Sequence, residues 1–457
     1  MAQEMLTRVE ATPLFLHNNA TDSDMNRSSC HASRLLSAAV TALFAGAAVA
    51  QTTPPPAPDQ KPTTEAAPAA ASEQKPATEA APATAPAPPA LLPAMAGPLA
   101  VNPKPTSFDL GPLEKVYVTG VVSGLGLAQN NTAPGDKSSN LDISNAQVFI
   151  NKPDGVFQFF IQAGAYSLPA LGTPYLRSVD AAKATFGNFP QGYVKWAPTD
   201  NFSVMVGALP TLIGAEYTFS FENMNIERGL LWNQENAVNR GVQANYTVGP
   251  VALAFSWNDG FYSKKYSWAS GSATWTINDS NTLALVVGGN TKHTSVSTSA
   301  TPLFLNNQQV LSNLIYTHTE GPWTLQPYLQ YTYVPALPEF GTPSSASTWG
   351  AGLLMTYNFD SDSTPAGWRV AGFSLPVRLE YISSNGSVSS GAPNLLYGPG
   401  SNAWSITITP TWQYKIFFAR AEFSYVGASS TTPGLAFGSN GTNSSQTRGM
   451  FEVGLLF

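Results

Sequence analysis

RGMFEVGLLF, residues 448–457, decides how the rest of this chain is read. In an extended backbone Phe457, Leu455, Val453, Phe451 and Gly449 share one face, and Leu456, Gly454, Glu452, Met450 and Arg448 share the other. Successive side chains of a strand point to opposite sides. An apolar row opposite a row carrying Arg and Glu therefore predicts a strand set between two different solvents.

The alternation recurs upstream. Phe417, Ala419, Ala421, Phe423 and Tyr425 alternate with Phe418, Arg420, Glu422 and Ser424. Trp404, Ile406, Ile408, Pro410, Trp412 and Tyr414 alternate with Ser405, Thr407, Thr409, Thr411, Gln413 and Lys415. Leu375, Val377, Leu379 and Tyr381 alternate with Pro376, Arg378 and Glu380, and Val251, Leu253, Phe255 and Trp257 line one side of 251–257. Two segments are weaker: 308–318 is ambiguous in register, and 114–128 places Gly120, Gly124 and Gly126 on one face.

This reading predicts sixteen strands, near 114–128, 140–151, 154–167, 188–197, 201–209, 236–248, 250–258, 265–277, 281–290, 308–318, 321–334, 347–359, 373–384, 402–414, 416–427 and 446–457. Tight turns, such as Asn151-Lys152-Pro153-Asp154 and Gly249-Pro250, alternate with long connections at 168–187, 210–235, 291–307, 335–346, 385–401 and 428–445. Short periplasmic turns and long outer loops give this rhythm in a membrane barrel, and an even strand count returns both ends to one side. The connection at 360–372 is long for its place in that rhythm. Trp196, Trp257, Trp323 and Trp404 sit near strand ends, as aromatic girdles require.

Composition agrees. Charged residues are 11% of the chain and aromatic residues another 11%, whereas a soluble surface carries about 25–35% charge. A mean hydropathy of −0.06 excludes a helical membrane bundle. The net charge of −6 gives no reason to expect a nucleic-acid partner. The expected fold is all-β: a transmembrane, antiparallel, up-and-down β-barrel of about 16 strands over 107–457, in the bacterial outer membrane with lipid around it. Ending on an aromatic strand residue is how such barrels close and how the barrel assembly machinery recognises them, so Phe457 is the expected assembly signal.

Two segments precede the barrel. Residues 25–50 carry Arg27 and Arg34, an apolar core from Leu35 to Gly46, and Ala48-Val49-Ala50 before Gln51. That order predicts a secretory signal peptide within 1–50, too short to span a membrane. The polar stretch 1–24 points to Met25 as the start, with an unusually long n-region as the alternative. Cys30 lies ahead of the apolar core, so the exported chain is expected to lack cysteine. Residues 51–106 are rich in Pro and Ala and contain an imperfect repeat, QKPTTEAAPA at 60–69 and QKPATEAAPA at 74–83. Such a segment cannot bury a core and is expected to be a disordered periplasmic spacer, with peptidoglycan binding as a second reading.

Sixteen strands enclose an aqueous lumen, so function falls to whatever narrows it. The third long connection, PTLIGAEYTFSFENMNIERGLLWNQE (210–235), is too apolar for a free surface loop, with Leu212, Ile213, Tyr217, Phe219, Phe221, Ile226, Leu230, Leu231 and Trp232. Such a loop needs something to pack on, and the inner barrel wall is available. Folded inward, it would present Glu216, Glu222, Glu227, Arg228 and Glu235 as a pore constriction. The polar faces of the late strands would offer Arg378, Glu380, Lys415, Arg420, Glu422, Arg448 and Glu452 as pore wall. Opposed charges across a narrow pore would set a transverse field that sorts solutes by size and charge. Alternatively, the wall charges pair with their strand neighbours. On the first reading, neutralising Glu216, Glu222 and Glu227 would reduce cation preference.

Other chemistry finds little support in the sequence. His293 and His318 are the only histidines after the signal segment, and no Ser–His–Asp spacing or paired carboxylate accompanies them. No zinc spacing, phosphate loop or EF-hand pattern is present, and no cofactor is expected. The competing functional classes are a closed barrel serving as adhesin or structural tether, and a barrel enzyme.

Residues 209–250, LPTLIGAEYTFSFENMNIERGLLWNQENAVNRGVQANYTVGP, carry a resemblance. They resemble the OmpL-like family of β-barrel porins, in which a Lys-or-Gly strand end, a Gly-Glu pair, a Leu-Leu pair and a later Arg-Gly recur. Here Ala215 splits the Gly-Glu pair into Gly214 and Glu216. The resemblance covers roughly 110–457 and implies an outer-membrane channel for small solutes, with a homotrimer expected by analogy of fold. The chain departs from the family in its Pro/Ala segment and in having Ala208 at the strand end.

Overall fold

The computed structural model describes Leu92 and residues 95–298 and 301–457. The expected signal peptide and most of the expected spacer lie outside these residues. The described chain forms a closed antiparallel barrel of sixteen strands. A short leading strand, β1 (Thr106–Asp109), pairs with β2 (Lys115–Gln129) and covers the part of its edge below the barrel seam. There follow β3 (Ser139–Lys152), β4 (Phe157–Tyr166), β5 (Gly192–Thr199), β6 (Phe202–Pro210), β7 (Val238–Val248), β8 (Val251–Asn258), β9 (Trp268–Asn278) and β10 (Asn281–Asn290). The second half comprises β11 (Val310–Glu320), β12 (Trp323–Val334), β13 (Ala346–Asn358), β14 (Phe373–Ser384), β15 (Asn402–Ile408), β16 (Thr411–Tyr414), β17 (Phe417–Ser429) and β18 (Ser445–Leu456). β15 and β16 are two halves of one spanning strand, interrupted at Thr409-Pro410, because Pro has no N–H for the ladder.

The two faces separate as the alternation predicts. On β18, Phe451 is 54% exposed and Val453 also faces out, while Arg448, Met450 and Glu452 are buried inside. Outward tryptophans form two belts. Trp257, Trp349 and Trp404 lie at the long-loop end, and Trp196, Trp275, Trp323 and Trp412 at the short-turn end. Trp268, by contrast, is fully buried inside.

Closure joins the last strand to the first. β18 pairs with β2 from Arg448↔Gln129 to Leu456↔Val121. Phe457 and Gly120 complete it by exchanging N–H···O bonds of 2.9 and 2.8 Å. A Cβ at Gly120 would stand 2.6 Å from Cζ of Phe457 and 2.8 Å from the Gln147 carbonyl oxygen. Gly120→Val is therefore expected to wedge the seam and cost about 1–3 kcal/mol, read as a lower melting point of the heat-modifiable folded band. An unchanged melting point would show that the seam does not need a bare backbone there.

The register ambiguity of 308–318 has a physical cause. On β11 both Leu314, which faces out, and Ile315, which faces in, are apolar. Ile315 is apolar because it packs in one cluster with Leu230 and Leu231 of the third long loop instead of meeting water.

Candidate constriction site

The third long loop, 211–237 between β6 and β7, folds into the lumen. Its apolar residues find partners on the inner wall at successive heights. Phe221 lies 5.7 Å from the Phe149 ring, and Phe219 meets Tyr166 edge-on at 5.0 Å. Ile226 packs with Leu125, Leu127 and Met450, and Ile213 with Trp268, Val286 and Leu311. Leu230 and Leu231 sit against Tyr328, Leu354 and Ile382. Burying such side chains stabilises the seat by roughly 1.5–3 kcal/mol each before ordering costs.

Charge fixes the same loop from one side. Arg378 on β14 bonds Oε1 of Glu216 and the Glu227 carbonyl oxygen, each at 2.6 Å, and lies 3.2 Å from Glu380. Arg448 on β18 pairs with Glu227 and donates to Gln129, Ala170 and Thr173. Arg420 pairs with Glu452, its direct register partner across β17 and β18, and donates to the loop carbonyls of Ser220 and Asn223.

The wall carboxylates act as acceptors for loop backbone. Glu422 takes N–H bonds from Ile226 (2.6 Å) and Glu227 (3.0 Å), and a hydroxyl bond from Thr409. Glu380 takes them from Leu230 (2.9 Å) and Leu231 (3.2 Å), with Ser405 adding a hydroxyl. Inside the loop, Glu216 accepts from Gly229 at 2.7 Å. Apart from one isolated parallel bridge, in which the Arg228 N–H donates to the Pro169 carbonyl, this stretch of the loop lies outside the strand ladder, so carboxylates supply acceptors for its amides.

The expected constriction residues are thus brought together, but not as water-facing charges. Glu216, Glu222, Glu227, Arg228 and Glu235 are all buried. Glu216 and Glu227 are ion-paired with Arg378 and Arg448, so neutralising these two bears first on how the loop is held. Glu222 accepts from the Phe219 amide at 3.0 Å. In this loop, outside the spanning strands, burial pushes the Glu222 carboxyl up to about 8 and pulls the Arg228 guanidinium down to about 10. Arg228 is 0% exposed, lies 5.0 Å over the Trp232 ring, and none of its side-chain nitrogens has a hydrogen-bond partner. Glu235 likewise has an unpartnered Oε2.

Six of the seven expected wall residues face the lumen. Lys415 does not join them. It occupies the short turn between β16 and β17 with φ +55, exposed at the short-turn mouth. The alternation runs one residue past Tyr414, and the turn takes that residue out of the wall.

The sequence reading missed the network that anchors Glu452. Its Oε1 accepts from Ser123 (2.8 Å), Ser144 (2.9 Å) and Asn145 (3.2 Å). It also missed a cavity of about 970 Å³ between the loop and the β4–β7 wall, lined by Gln158, Tyr193, Tyr217, Gln243 and Asn245 among others. His293 pairs with Glu339 in an outer loop, whereas His318 meets Asn281 near a short turn at the opposite end. Among the described residues no cluster of His, Cys, Asp and Glu is placed to hold a metal.

Comparison with known proteins adds the following. The model of the family described as "Putative beta-barrel porin-2, OmpL-like" matches residues 115–457. A search of curated proteins returns no significant match. Among solved structures, the chain is similar to the outer membrane channel DcaP of Acinetobacter baumannii, at 10% identity and a TM-score of 0.49, covering 75% of this chain and 97% of that one. It is also similar to the outer-membrane expressed OmpT of Vibrio cholerae, at 10% identity and a TM-score of 0.48, covering 78% and 100%. A third likeness is the OmpF complex with daunomycin from Salmonella typhi, at 10% identity and a TM-score of 0.46, covering 75% and 98%.

Proposed function

We propose, from the premise that this chain belongs to the OmpL-like β-barrel porin family, that it passes small hydrophilic solutes passively across the bacterial outer membrane, with residues 210–235 as the constriction. The observation that carries this reading is the seat of that loop. Ion pairs and carboxylate-to-amide bonds hold it against the wall from β14 to β18. The opposite wall, around β4–β7, borders the 970 Å³ cavity, whose lining includes the neutral polar groups of Gln158, Gln243 and Asn245 and, among its charged residues, Lys152, Asp154, Lys195 and Asp200.

On this arrangement solutes pass on the more sparsely charged β4–β7 side. The charged side is structural, because its ions are already paired and desolvated. Selection then rests on width and hydrogen bonding more than on charge. Reconstitution into planar bilayers tests the function. The full chain is expected to give discrete current steps with weak ion preference, and proteoliposomes are expected to swell in small neutral sugars. Absence of any current from correctly folded protein would overturn the channel reading.

A further inference from the structure

The residues just ahead of β1 do not run away from the barrel. Ala96 and Gly97 donate their N–H groups to the Glu222 carbonyl oxygen at 2.8 and 3.1 Å. A Cβ on Gly97 would stand 2.3 Å from the Asn223 carbonyl oxygen, so here the backbone lies directly on the constriction loop. Ala100 makes a two-point amide match with Gln413 of β16: its N–H donates to Oε1 and its carbonyl accepts from Nε2, both at 2.8 Å. Leu99, 3% exposed, and Leu92 are buried in one cluster with Phe149, Phe219, Phe221 and Phe418. Phe219 and Phe221 belong to the loop, so the loop and this segment share a core.

The segment also occupies space at the short-turn mouth. A cavity of about 470 Å³ is bounded by Ala96, Gly97, Pro98, Ala100 and Val101 together with Met224 of the loop and strands β12–β14. The 970 Å³ cavity is bounded by Leu92 together with Tyr217 of the loop.

We propose that Met95–Val101 is an inward-folded strap that narrows the periplasmic mouth and holds the constriction loop in its seat. The proposal rests on the channel reading above. The strap can leave without breaking the barrel, because none of its bonds belongs to the strand ladder: it is held by two main-chain bonds, one side-chain amide and a few apolar contacts. The small residues Ala96, Gly97 and Ala100 fit this role because main chain must approach main chain at the contact.

Gly97→Leu tests it in the full chain, with Leu99→Asp as an independent second variant. Either should expel the strap and leave the barrel folded, as judged by heat-modifiable mobility. Single-channel conductance should then rise about two- to fivefold over the unaltered chain, as expected when a narrow segment of a pore widens. Seating is read separately by thiol labelling of Leu99→Cys in a Cys30→Ser background. Labelling should be slow in that protein and at least about tenfold faster once Gly97→Leu is added, because a buried thiol reacts only when it is exposed. Equal conductance and equal labelling with and without Gly97→Leu would overturn the strap while leaving the channel reading intact. Absence of current in every variant would overturn both.

Discussion

Arg378→Ala is expected to release the third long loop from the inner wall. The substitution removes the partner of Glu216, leaves Glu380 without its neighbouring guanidinium, and deletes the bond to the Glu227 carbonyl. Breaking a buried pair from one side costs about 3–5 kcal/mol, because the remaining charge is stranded without water. That cost falls on the seated form of the loop, so the loop should spend more time displaced. The expected result is larger and noisier channel currents together with a lower melting temperature. Arg378→Lys keeps the charge but not the planar fork, and should fall between the two. Currents and melting unchanged by Arg378→Ala would mean that the ion pairs do not hold the loop.

Phe451→Arg should be comparably severe by a different route. Phe451 faces outward near the middle of β18, the strand that closes the barrel. An Arg on the lipid face near the bilayer midplane costs about 2–4 kcal/mol. Placed next to the seam, it should cut the yield of assembled barrel and the stability of what does assemble, measured by denaturant unfolding from lipid vesicles. Phe451→Leu, which stays apolar, should cost less than about 1.5 kcal/mol. Equal stability of the Arg and Leu variants would mean that this face does not meet lipid.

The barrel was legible because its rule is local. Every spanning strand read from alternation is present, and observed ends such as Phe373–Ser384 or Asn281–Asn290 coincide with the expected ones. The inward path of the third loop was legible from Phe219, Phe221, Leu230 and Leu231, side chains with nowhere else to go. Its bonding was not. Glu380 and Glu422 read as pore wall because period two reports only which face a residue is on. That their partners are the amides of Ile226, Glu227, Leu230 and Leu231 depends on contacts between residues roughly 150 to 200 positions apart. Arg228 shows the same limit: its burial over Trp232 leaves no mark in the spacing.

The strap was hidden for another reason. Leu92, Met95, Leu99 and Val101 are diluted by Pro, Ala and Gly, the composition of a spacer. The same small residues are what a backbone needs to rest on Glu222 and Asn223. Composition alone does not separate these two uses.

A spin-label scan along β17 (Phe417–Ser429) in lipid vesicles would test most directly whether lipid lies outside the barrel and a filled lumen within. The account predicts that labels at 417, 419, 421, 423 and 425 relax with dissolved oxygen, which concentrates in lipid. Labels at the buried inward positions 418, 424 and 426 should be shielded from both oxygen and a water-soluble nickel chelate. A flat profile, or chelate access at the outward positions, would contradict it.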